Sequence, residues 1–125
     1  MGLDMFLSEV IRSEGQTYKP EAIYWRKANA IHNYIIQQHA DGIDECQPIS
    51  LNREDLHILS RLCRLLVFFR NERLNAMILP TASGFFFGSL EYDEDYYNDL
   101  QYTADKIDEA LKDEDAEEFE YQASW

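Results

Sequence analysis

The stretch Arg53–Arg73 constrains the fold more than any other. Leu56, Leu59, Leu62, Cys63, Leu66 and Phe69 or Arg70 recur at a helical period. Its middle, residues 65–69 (LLVFF), is apolar nearly all round. A helix with so little polar face belongs inside a fold, so the pattern predicts this as the central helix. Arg61, Arg64 and Asn71 mark its outer side. Asn52 is suited to cap its start, because the side chain can accept from the amide of Asp55. Glu54 and Asp55 then fall in the first turn, where the helix dipole favours acids. Pro80 ends any helix that continues past Asn75–Leu79.

Two further helices flank this one. In Glu21–His39, Tyr24, Ala28, Ile31 and Ile35 form one apolar stripe, although Ala22–Trp25 alone would also pass as a strand end. Gly42 can take the left-handed cap that stops it. The other helix starts at Asp93 or Asp95. Its stripe, Tyr97, Leu100, Ala104, Ile107 and Leu111, is the cleanest amphipathic pattern in the chain. Leu3–Val10 alternates as a strand, and Phe119–Ala123 alternates in the same way. Arg12–Pro20 is polar with a Gly and a Pro, and reads as a loop; Ile43–Leu51 reads as a loop with a short extended piece at Pro48–Leu51. The expectation is an α+β fold: a three-helix core with a small antiparallel two-stranded sheet formed by the N- and C-terminal segments. At 125 residues it fits one domain, 1–125, whose last third, 91–125, is acidic.

That third carries 14 acids against Lys106 and Lys112, a net of −12, whereas residues 1–90 hold 10 acids and 9 bases. Such a surface repels phosphate backbones and argues against direct nucleic-acid binding. It attracts a basic partner surface. No apolar run approaches the ~20 residues of a bilayer span, and Cys46 and Cys63 make no disulfide framework. The expected setting is a reducing, non-membrane one.

Candidate site residues fall into three groups. Trp25, Arg26, Asn29 and His32 form a row that could hold a base or planar anion. The same residues also read as a core Trp, a paired Arg and a satisfied His. Phe85, Phe86 and Phe87 lie between Gly84 and Gly88, with Tyr92 close behind; two glycines permit tight turns around them. This loop lacks every phosphate-binding pattern, and an acidic helix follows it, so it reads as structural or as an aromatic contact surface. Exposed, it would suggest a homo-oligomer interface. The third group is the acidic surface of Asp93, Glu94, Asp95, Asp99, Asp105, Asp108, Glu109 and Asp113. It reads equally as a solvated face or as a mimic of spaced nucleic-acid charge. His32, His39, His57 and Cys46 lack metal-ligand spacing, and no hydrolase elbow is present. No catalytic residue, metal or cofactor is assigned.

Several phrases stand together: Met1-Gly2-Leu3-Asp4-Met5, Tyr24 through His32 (YWRKANAIH), Leu79-Pro80-Thr81 with Gly84 through Ser89, Tyr92-Asp93-Glu94, and the Tyr121–Trp125 segment. With them the chain resembles, over most of its length, a family of small, functionally uncharacterised proteins encoded by bacteriophages and prophages. The resemblance implies a phage origin and a host-cell cytoplasmic setting. It carries no reaction. By analogy it suggests an acidic binding protein that inhibits a host or anti-phage defence protein with a basic surface. The alternative is a small-ligand or nucleotide binder using the Trp25, Arg26, Asn29 and His32 row with the Phe85–Phe87 loop.

Overall fold

A computed structural model describes residues 2–84 and 88–125. Phe85, Phe86 and Phe87, singled out by the sequence, lie outside the described residues.

The terminal strands pair as expected. β1 (Asp4–Glu9) runs antiparallel to a strand at Glu118–Ser124, with Met5 opposite Ala123 and Leu7 opposite Tyr121. The sheet is larger than two strands, however. Glu21–Arg26 forms a strand and not the first turns of a helix. Ile23 and Trp25 point inward while Tyr24 and Arg26 point outward, so alternation prevails over the helical spacing of Tyr24 and Ala28. Pairing with β1 decides the matter, with Met5 opposite Trp25.

Between these strands lies a second departure from the expected loop. β2 (Ile11–Ser13) and β3 (Gln16–Tyr18) form a hairpin. Glu14 and Gly15 both take positive φ at its tip, the backbone that a tight two-residue hairpin requires. The strand Glu21–Arg26 is therefore β4. Then come α1 (Asn29–His39), β5 (Ile49–Asn52), α2 (Arg53–Phe69), α3 (Glu72–Ile78), α4 (Glu94–Ala110) and β6 (Glu118–Ser124). The sheet order is β4-β1-β6-β5, antiparallel throughout. Its inner face presents Met5, Leu7, Ile23, Trp25, Ile49, Leu51, Phe119 and Tyr121 to the helices.

There are four helices among the described residues, not three. Asn52 and Asp55 form a reciprocal capping box at the start of α2. α2 stops at Phe69 because Arg70 turns left-handed, and Asn71 then caps the separate α3. Asp93 caps α4, whose stripe Tyr97, Leu100, Ala104, Ile107 and Leu111 is buried as the pattern predicts. The Arg53 guanidinium donates to the carbonyls of Leu111, Asp113 and Ala116, which ties the end of α4 to the start of α2.

The expectation of a central Arg53–Arg73 helix is corrected. α2 buries Leu56, Leu59, Cys63 and Leu66, chiefly against α4. Its opposite side stays bare, with Phe68 79% and Phe69 55% exposed.

Candidate functional site

A cleft of about 290 Å³ opens where the β4–α1 junction faces the first turns of α4. Arg26 and Lys27 stand on the junction side; Glu91, Asp93, Asp95 and Asp99 stand on the other. Lys27 holds the left-handed conformation at φ 57° where the chain leaves the strand for the helix, an uncommon backbone for a side chain of this size. Gly88 closes the third side at φ 88°. A Cβ there would lie 3.2 Å from Cβ of Lys27, so glycine permits both the turn and the close approach.

Asn29 is the structural pivot of the cleft. It is buried at the start of α1, accepts from the Ala82 amide at 3.0 Å and donates to the Ser89 carbonyl at 2.8 Å. Thr81 donates to the Leu90 carbonyl at 2.9 Å, closing the same segment at its base. Asn29 thus positions the cleft wall.

Asp99 is the cleft carboxylate with altered electrostatics. Burial, then the charges of Asp95 and Asp93, push its carboxyl from 3.8 up to about 6. Among the described residues, no ion pair reaches Glu91, Asp93, Asp95 or Asp99, and none reaches Arg26 or Lys27. The cleft therefore has a cationic and an anionic wall, with carboxylates in excess.

The other acids are differently placed. Arg64 binds both Asp105 and Asp108, Arg70 grips Glu94 through two hydrogen bonds of 3.0 Å, and Lys106 lies 3.9 Å from Glu109. Asp113 accepts from the Asp115 amide in the turn after α4. The predicted acidic surface is thus divided, and its unpaired part is concentrated at the cleft.

The row of Trp25, Arg26, Asn29 and His32 is not one helical face. It straddles a strand and a helix, and only Arg26 and Asn29 reach the cleft. Trp25 is 3% exposed, donates from Nε1 to Thr103 Oγ1 at 2.7 Å and meets the Tyr121 ring edge-on. His32 is 1% exposed and bridges Tyr121 (Nδ1 to hydroxyl, 2.6 Å) and Asp44 (Nε2 to carboxylate, 2.9 Å). A carboxylate can only accept, so Nε2 donates to Asp44. Neither of these two rings offers a face to a ligand. Tyr92 packs on the core edge, its ring 4.9 Å from that of Tyr96.

Sequence reasoning missed Lys27 and Glu91 as cleft residues. The cue for Lys27 was the strand-to-helix change inside YWRKAN, which becomes visible once Ile23 and Trp25 are read as alternating. Among the described residues no group of three His, Cys, Asp or Glu side chains could hold a metal ion, and no helix is long and apolar enough to cross a membrane. No protein-family model, curated protein or solved structure matches the chain.

Proposed function

We propose that the protein is a phage-encoded acidic binding protein that inhibits a host or anti-phage defence protein by direct contact, and that the contact runs through the cleft. The observation that carries this reading is the unpaired set Glu91, Asp93, Asp95 and Asp99 on one wall. A lysine or arginine of the partner entering there meets charges that no cation among the described residues neutralises. Its charge offsets the cost of ionising Asp99, so part of the electrostatic energy is released only on binding. Arg26 and Lys27 face an acidic or carbonyl group of the same partner segment and fix its direction. The phage setting and the inhibitory role rest on the resemblance of the YWRKANAIH and LPT…GS phrases. Nucleic-acid mimicry has less support, because arginines cover Glu94, Asp105 and Asp108 along α4.

The test is capture of a partner from host lysate by the full chain and by the Asp95→Asn/Asp99→Asn variant. Capture should weaken as salt shortens the screening length from about 10 Å to about 3 Å, and the variant should lose it. Absence of a partner, salt-insensitive capture, or equal capture by the variant would each reject the reading.

A further inference from the structure

We infer that the residue the cleft takes from its partner is a C-terminal arginine, with its guanidinium on Asp95 and Asp99 and its free carboxylate on Arg26 and Lys27. The inference rests on the cleft being the contact site and names what enters it.

Size selects a single residue. Ligand sites start at roughly 300 Å³, and this cleft, at about 290 Å³, has no room for a helix or a strand. Ala28, Ile31 and Leu100 are buried in its lining and offer apolar surface to a methylene stem. The charged head then meets α4. Asp99 is the least exposed of the four cleft carboxylates, and Asp95 lies one turn before it on the same helix. Side chains so spaced stand about 5–6 Å apart at Cβ. A planar guanidinium with five donors can bridge two such carboxylates, whereas a lysine ammonium is a point charge.

The opposite wall calls for an anion on the same residue. A Cβ on Gly2 would lie 3.4 Å from Cε of Lys27 and 3.5 Å from Nη2 of Arg26, so the two cationic side chains converge there. Neither has an ion pair among the described residues. Two like charges held together raise each other's cost until a negative charge joins them. A mid-chain residue brings only carbonyl dipoles to this wall. A chain end brings a full carboxylate, which can accept two parallel hydrogen bonds from an arginine fork. Free arginine carries the same carboxylate, but its α-ammonium would lie next to Arg26 and Lys27, which favours the chain end.

Calorimetric titration of the full chain with short acetylated Gly/Ser peptides is the test. A peptide ending in arginine with a free carboxylate should bind. Its C-terminal amide, a peptide with the arginine at mid-chain, and a peptide ending in lysine should each bind about 10-fold more weakly or worse. Arg26→Gln with Lys27→Gln should reduce the free-acid peptide to the level of the amide, and Asp95→Asn with Asp99→Asn should abolish both. Both pairs are on the protein surface or half-buried, and an unchanged circular dichroism spectrum verifies the fold. Free L-arginine is the arm that separates the two sources: weaker binding than the peptide supports the chain end, and tighter binding overturns it. Equal affinity for acid and amide, or for terminal and mid-chain arginine, also overturns the inference. So does silence of every peptide at about 1 mM, the range of weak specific contacts. In each of these cases, salt-sensitive lysate capture that the aspartate variant loses would still uphold the cleft as the contact site, so the two failures are told apart.

Discussion

Asp99 ionises at a cost to the fold. Its carboxyl titrates at about 6 in the folded protein and near 3.8 when free. Between those values the folded state binds more protons, so stability falls as pH rises from about 4 to 6 and the loss persists above. Asp99→Asn should therefore stabilise the protein at pH 7 by about 1 kcal/mol and leave it unchanged at pH 4; urea unfolding at the two pH values measures this. The gain is below the ~2.7 kcal/mol that two pK units imply for an enclosed group, because solvent reaches Asp99. At this scale the sequence revealed residue types better than their placement. The surplus of acids was plain, but arginine pairing separates Asp105 and Asp108 from Asp95 and Asp99, and those arginines come from α2 and its C-cap. Trp25 and His32 were legible as polar-tipped rings, while their partners Thr103, Tyr121 and Asp44 lie 78, 89 and 12 residues away in the chain. Local spacing does not encode such partners.

Among the elements, those with strong local signals were the ones the sequence exposed. α4 was read from its stripe, and the start of α2 from Asn52 and Asp55. That capping box satisfies backbone donors that helix geometry leaves without partners. Asn52→Ala should lower stability by about 1 kcal/mol, read as a reduced midpoint in denaturant with an unchanged slope. Elements set by pairing were less legible. β4 carries both a helical and an alternating pattern, and only β1 beside it selects the second. The β2–β3 hairpin is polar and exposed, so no buried face announces it. The end of α2 was misread because Arg70 adopts at φ 48° a backbone usually left to glycine or asparagine.

For the molecule as a whole, the position of β6 matters most. It lies between β1 and β5 and supplies Phe119 and Tyr121 to the core. A chain ended at Ala116 should lose all cooperative unfolding in a thermal melt followed by circular dichroism, because β1 and β5 would no longer share a partner strand. The sequence suggested the pairing of the two end segments, yet it could not show that β6 is interior to the sheet, since β5 is only four residues long. This placement has a consequence for biosynthesis. While the ribosome is still adding residues 118–124, β1 has waited through more than a hundred residues of synthesis without its β6 neighbour. The sheet cannot close on the emerging chain; folding must follow translation of β6, and a product stalled before it presents open strand edges to chaperones and proteases.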